Sequence, residues 1–412
     1  MTEIDASATA KRPRMLVPDV ARGLALLGIA IANVATAWLL FDKPTPASFF
    51  GGINGDSLAD KIAIVFAAIT AHNRGLPMFA TLLGFGIGLI SLSLARREFP
   101  IMRARTVIAK RYAFLALFGA THLLFLFSGD VMFLYGVCGV AIAALIDLQD
   151  RQLRVIYWIP LVIIALIGLV SLLLLGQTAS STTKDPASLG GTSEAATYLS
   201  LLWTNLKVLF LAVVTLPVST FFYFPVMLLG FVWARKGVLA DVSSHRPLLI
   251  RWLVVALVIS FGVGLPWGLA AIGVLPQQFE ESFMLVNSSI GVFTGPGILA
   301  GLALALEPLQ RRIHAGAPIP PWMTAIVALG KRSMTGYLLQ SVLFAILVYP
   351  FMLDFPRGLG TAIQTGVAFA VWLVTLFIAW VMEARGMQGP FEKMHRRISY
   401  GPTMRAELKH SK

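Results

Sequence analysis

Two ionisable side chains, His122 and Asp130, lie inside the apolar hairpin RYAFLALFGATHLLFLFSGDVMFLYG (111–136). An ionisable group at membrane depth costs several kcal/mol unless it is paired or hydrated, so each is a functional-site candidate. An imidazole there could act as general base toward a hydroxyl, with a carboxylate orienting or charging it. Eight residues of continuous helix span about 12 Å, so the spacing predicts that His122 and Asp130 are too far apart for a simple dyad. Asp130 is instead expected to pair with Arg74, or to cap the next helix by accepting from free N–H groups. Each apolar arm of roughly 16 residues reaches about 24 Å against a bilayer core of about 30 Å. The Gly129-Asp130 turn is therefore expected slightly inside the outer face, with His122 near mid-depth.

Other residues compete for the same chemistry. His72-Asn73-Arg74 precedes an apolar run: His72 is a rival base, and Arg74 would bind an acceptor or stabilise developing negative charge. Equally, Arg74 could snorkel at the interface beside an exposed histidine. Asp19 and Arg22 open the run PDVARGLALLGIAIAN, where they either fix the start of a helix or meet an anionic ligand. Asn33 follows Arg22 by eleven residues, about 16 Å at helical rise, and would contact substrate or a neighbouring helix. Gly84, Gly86 and Gly88 sit mid-helix without a preceding strand, which points to close helix packing and not a dinucleotide loop. No GxSxG, HExxH or Walker pattern occurs, and the single cysteine, Cys138, excludes an intramolecular disulfide or a cysteine-built metal site. It reads as a buried, inert thiol; no metal site is expected.

The elements that must position these groups are all helical. Of 412 residues, 57% are hydrophobic and 13% charged, with mean hydropathy +0.79, which excludes an ordinary soluble domain. The expected fold is all-α, a polytopic integral membrane protein with about ten spans. These lie near 20–41, 75–95, 112–128, 131–147, 155–175, 206–234, 252–274, 285–306, 333–352 and 360–382. The first run, led by Lys11, Arg12 and Arg14, reads as a retained helix. Apart from Lys43, Lys61, Arg74, Lys184, Lys207 and Arg357, all Lys and Arg fall on segments of one side, which sets both termini in the cytoplasm. The net charge of +13 is thus an orientation signal with membrane-lipid contacts, not a nucleic-acid footprint. Residues 1–14 are expected as a polar, disordered tail, 15–176 as a first five-helix half, 177–205 as an outer polar loop, 206–401 as a second half and 402–412 as a second cytoplasmic tail. The run 62–71 is expected as an interfacial or re-entrant helix, Pro217 and Pro225 as breaks, and Gly295-Pro296-Gly297 as a kink in the eighth span.

Five stretches carry a family likeness: DVARGLALLGIAIAN (19–33), PMFATLLGFGIG (77–88), ATHLLFLFSGDVMFLYGVCG (120–139), GKRSMTGYLLQS (330–341) and GPFEKMHRRISYG (389–401). By these the chain resembles the YeiB-like family of bacterial membrane proteins, domain of unknown function 418. That family is grouped with membrane acyltransferases, including the OafA-like O-acyltransferases and heparan-alpha-glucosaminide N-acetyltransferase. The resemblance implies roughly ten helices in the bacterial cytoplasmic membrane. It also implies a cytoplasmic acyl-coenzyme A co-substrate, no tightly bound cofactor, and a glycan, glycolipid or lipid acceptor across the bilayer. Arg22-Gly23 keeps the superfamily's Arg-Gly pattern. Asn33 stands where the OafA-like enzymes have a histidine, so that histidine's role does not transfer; the sugar N-acetyltransferase resembles this chain in having asparagine there.

Two functions are compatible with these residues. In an acyltransferase, His122 or His72 would be the base, Asp130 its partner, Arg74 and Asn33 the acceptor site, and Arg22 with Asp19 the coenzyme A site. In a transporter or lipid flippase, the interrupted eighth span and buried polar groups would line a pathway without acyl chemistry. The sequence names neither the acceptor nor an oligomeric state.

Overall fold

The computed structural model describes residues 15–39, 47–174, 195–355 and 358–407, and every regular element among them is helical. The tail 1–14, residues 177–194 of the expected outer loop and 408–412 lie outside the described residues. In order, the helices are α1 (Leu16–Asn33), α2 (Leu58–Thr70), α3 (Gly75–Arg96), α4 (Ile101–Phe125), α5 (Met132–Ala144), α6 (Asp150–Leu173), α7 (Tyr198–Val214) and α8 (Leu216–Arg235). There follow α9 (Arg246–Ile259), α10 (Leu265–Ala271), α11 (Gln278–Ile290), α12 (Thr294–His314), α13 (Pro321–Lys331), α14 (Ser333–Val348), α15 (Thr361–Ala384) and α16 (Pro390–Tyr400). Among the described residues, 8 helical stretches are long and apolar enough to cross a bilayer, and the chain is a multi-pass membrane protein. Three of these join two of the numbered α-helices: Leu58–Arg96, Arg246–Ala271 and Gln278–His314. The spans expected near 131–147 and 333–352 fall on α5 and α14, 13 and 16 residues long, or about 20 and 24 Å.

Prolines act differently from expectation. The segment after 198 breaks at Thr215, which caps both α7 and α8, and Pro217 lies in the first turn of α8, where its missing N–H removes no helical bond. Pro225 does not break the helix; it is buried inside a continuous α8. The eighth span is interrupted a few residues earlier than expected, by a 3₁₀ turn at Gly291–Phe293, and Pro296 sits in the first turn of α12. The short run after residue 58 is α2, followed by the turn 71–74. The two interruptions clasp each other. Asn73 Nδ2 donates to the carbonyls of Asn287 (2.9 Å) and Ser288 (3.3 Å), and Thr294 Oγ1 donates to the Asn73 carbonyl at 3.1 Å.

Small residues set the closest approaches. A Cβ on Gly84 would lie 1.7 Å from the Met227 carbonyl, and one on Gly230 would lie 2.0 Å from that of Thr81, so α3 and α8 touch backbone to backbone. Gly88 packs against α8 as well, whereas a Cβ on Gly86 would face Arg22 Nη2 at 3.6 Å. Gly119 and Gly136 do the same for α4 and α5, with ideal Cβ positions 2.1 Å from Phe133 N and 2.3 Å from Ala116 N. Cys138 is fully buried, as expected.

Charge collects at one end. Arg105 pairs with Asp147, Arg235 with Asp150 at 3.2 Å, and Lys331 and Arg332 both with Glu383 at 2.6 Å. The amphipathic α16 lies across this end. Its Glu392 accepts from Met334 N (2.8 Å), Thr335 N (3.1 Å) and Thr335 Oγ1 (2.5 Å) at the start of α14.

Candidate functional site

At the tip of the α4–α5 hairpin, Asp130 Oδ2 lies 2.7 Å from His122 Nδ1, with both side chains buried. The predicted 12 Å separation is corrected: α4 ends at Phe125, and the chain folds back before Asp130. The N–H groups of Leu126 and Phe127 both close on the His122 carbonyl, at 2.9 and 3.0 Å. Three further carbonyls at this end are taken by side chains from afar. Asn205 Nδ2 donates to Leu124 O at 3.1 Å, Tyr198 Oη to Phe125 O at 3.0 Å, and Tyr349 Oη to Leu126 O at 2.6 Å. Helix ends leave such carbonyls unpaired, and here they are satisfied without a glycine cap. Below the turn, Phe127 stacks on Trp38 with centroids 4.2 Å apart. Trp38 ends the π-helical turn Val34–Trp38 that continues α1.

The capping expectation for Asp130 also holds: its Oδ1 accepts from Phe133 N at 2.9 Å. One carboxylate thus starts α5 and fixes the imidazole. With Nδ1 facing a carboxylate, Nδ1 carries the proton and Nε2 is left as the basic nitrogen. That Nε2 is buried and has no hydrogen-bond partner among the described residues.

A cavity of about 350 Å³ runs from the basic end toward this pair. Arg22, Arg111, Lys331 and Arg396 line its charged end; Leu26, Ile29, Leu83 and Leu115 line the shaft; Tyr135 and Tyr337 line it toward the hairpin tip. Two helical stripes explain the gradient. On α1, Arg22, Leu26, Ile29 and Asn33 follow i, i+4, i+7, i+11; on α4, Arg111, Leu115 and His122 follow i, i+4, i+11. Each stripe starts at arginine beside the charged end and reaches a polar group eleven residues, about 16 Å, further on. Asn33 is half-buried and makes no side-chain hydrogen bond among the described residues. Tyr337 walls the cavity and also touches the His122 ring, with centroids 5.4 Å apart.

The other expected site residues lie elsewhere. Asp19 is buried in the first turn of α1 and pairs with Arg22 at 3.5 Å. Arg74 meets no carboxylate among the described residues. Its guanidinium donates to the carbonyls of Ile69 (3.2 Å), Asn73 (3.3 Å) and Ala68 (3.5 Å), where a cation complements the C-terminus of α2. His72 is boxed by Phe49, Phe50 and Trp267, with centroids 5.1, 4.9 and 5.7 Å away. No hydrogen bond or ring contact joins His72 or Arg74 to the His122–Asp130 pair among the described residues. Tyr337, Asn205 and Tyr349 were missed by sequence reasoning, because only tertiary contact distinguishes them from ordinary helix residues.

At the charged end, His395 lines the cavity and bonds the Arg111 carbonyl at 2.9 Å. Burial, reinforced by the Arg111 and Arg396 charges, pulls its imidazole down to about 4.

Residues 233–402 match the family described as "Protein of unknown function (DUF418)". The chain is also 28% identical over 170 residues to the uncharacterized protein YeiB of Escherichia coli (strain K12), a match covering 41% of this chain and 40% of that protein's length. The matched family region holds α9–α16 and therefore Lys331, Tyr337, Glu392 and His395, while Arg22, His122 and Asp130 precede it. Residues 233–402 thus match the DUF418 family, and a 170-residue stretch of the chain is similar to YeiB.

Proposed function

We propose that this protein is a membrane acyltransferase of the bacterial cytoplasmic membrane. It moves an acyl group from a cytoplasmic acyl-coenzyme A to a glycan or lipid acceptor of the envelope. The observation that carries this reading is the His122 Nδ1–Asp130 Oδ2 contact of 2.7 Å beyond the far end of a shaft with arginines at its mouth. Arg22 and Arg111 hold the donor's phosphates, and its extended arm follows the shaft for the ~16 Å that separates each arginine from Asn33 and His122.

In the transfer step the acceptor oxygen attacks the thioester carbonyl carbon, forming the new C–O bond. The acceptor's proton passes to His122 Nε2, and Asp130 stabilises the resulting imidazolium. Collapse of the tetrahedral species breaks the C–S bond, and the thiolate takes the proton back from His122. The acceptor approaches from the side opposite the basic end, so the pair is the meeting point of two substrates. His122→Ala in the reconstituted full-length protein is expected to lower cleavage of radiolabelled acetyl-coenzyme A by about 10²–10⁴-fold.

A transport or flippase reading has one observation in its favour: the turn 71–74 and the interruption at 291–293 clasp each other, as broken helices do around transporter sites. Movement of fluorescent lipid across vesicles by a protein that leaves the thioester intact would select that reading.

A further inference from the structure

Two polar atoms near the cavity's inner end have no hydrogen-bond partner among the described residues: His122 Nε2 and Tyr337 Oη. Both residues are more than nine-tenths buried, and the Val131 backbone lies near Tyr337 without closing a bond. A buried donor or acceptor left unpaired costs about 1–3 kcal/mol. Two such atoms on touching rings call for one shared explanation. Tyr135, the other tyrosine at this end, is not in the same state, since its hydroxyl donates to Leu76 O at 2.8 Å.

The chemistry of the two atoms is complementary. His122 Nε2 is an acceptor once Asp130 holds Nδ1–H, whereas the Tyr337 hydroxyl can donate. Acyl transfer needs one of each: a base for the incoming hydroxyl, and a donor for the oxygen on which negative charge develops. Tyr337 is placed for the second role because it forms part of the cavity wall beside the His122 ring. Backbone donors are scarce here, because α4, α5 and α14 use their interior N–H groups within the helices. The start of α14, where free N–H groups do occur, is occupied by Glu392.

We propose that Tyr337 is a catalytic residue whose hydroxyl donates to the carbonyl oxygen of the bound acyl group, opposite the base His122. The proposal rests on the acyltransferase reading. As the acceptor oxygen bonds to carbon, the carbonyl π electrons move onto that oxygen and Tyr337 O–H stabilises it. When the C–S bond breaks, the electrons return to re-form the carbonyl, so Tyr337 donates a hydrogen bond throughout and loses no proton. The hydroxyl acts only where charge develops, so its removal should lower kcat and leave KM nearly unchanged.

The test uses full-length protein in lipid nanodiscs with acetyl-coenzyme A as probe. Equilibrium binding and single-turnover thioester cleavage are measured on wild type, Tyr337→Phe, and a variant with 3-fluorotyrosine at 337, which keeps the donor. Tyr337→Phe is expected to lose about 10²–10³-fold in rate with binding of acetyl-coenzyme A retained, and 3-fluorotyrosine to restore most of that rate. Wild-type turnover with Tyr337→Phe equally fast overturns this proposal alone, as does a loss of rate fully matched by loss of binding. A wild-type protein that leaves the thioester intact overturns the transferase reading and this proposal together.

Discussion

Asp130 does two jobs with two oxygens, one on Phe133 N–H and one on His122 Nδ1, so substitutions can separate them. Asp130→Asn keeps an oxygen to accept from Phe133 N–H, so the hairpin is expected to stay folded by circular dichroism. It removes the charge that orients and stabilises the imidazolium, and thioester cleavage is expected to fall by about 10²–10⁴-fold. Equal rates for Asp130→Asn and wild type would reduce the carboxylate to a cap. Gly119 belongs to the same scale. Its Cβ would lie 2.1 Å from Phe133 N and 2.7 Å from Asp130 Oδ1, so Gly119→Ala pushes α5 and the carboxylate away from His122. A stability loss of about 1–3 kcal/mol from overpacking is expected in detergent unfolding, together with impaired cleavage.

At the scale of elements, the α4 C-terminus is the decisive feature and the least legible one. His122 and Asp130 stood out in the sequence because ionisable groups are rare among apolar residues, but the distance between them depended on where α4 stops. Nothing local marks that stop: LLFLF continues the helical pattern to Gly129. The stop is fixed by Asn205, Tyr198 and Tyr349, which lie 73 to 223 residues away along the chain. Asn205→Leu leaves the Leu124 carbonyl unpaired and is expected to cost about 1–3 kcal/mol, with faster amide exchange in residues 122–130. Another element, α16, is held on the charged end by Glu392 and His395. Burial against the charged end holds the docked His395 imidazole down to about 4, below the ordinary value of about 6.5 for an exposed histidine. The undocked form therefore binds more protons between those values, and docking weakens as pH falls through that window. Protection factors of the amides in 390–400, which correct for the slower intrinsic exchange in acid, should fall from pH 6.5 to pH 4, and His395→Gln should flatten that dependence.

At the scale of the whole molecule, composition made the membrane class and the helical fold legible, because burial in lipid leaves helices as the economical way to satisfy backbone groups. Span boundaries were less so. The break between α2 and α3 was legible, as the short apolar run 62–71 ahead of the span at 75–95, but hydropathy does not register that α5 is 13 residues long. The alignment of the Arg22 and Arg111 stripes beside one cavity required the tertiary arrangement of α1, α4 and α14. Under the proposed orientation, which follows the positive-inside rule, the arginine-lined end faces the cytoplasm. In a Cys138→Ala background, Ala317→Cys should react with an impermeant maleimide only after cells are opened, and Asp56→Cys in intact cells once any outer membrane is made permeable. The most direct test of the central claim is thioester cleavage by wild-type and His122→Ala protein, reconstituted at full length and supplied with radiolabelled acetyl-coenzyme A. The account predicts that wild type binds and cleaves it, and that His122→Ala binds it but cleaves about 10²–10⁴-fold more slowly. Cleavage at the same rate by both, or none by wild type, would contradict it.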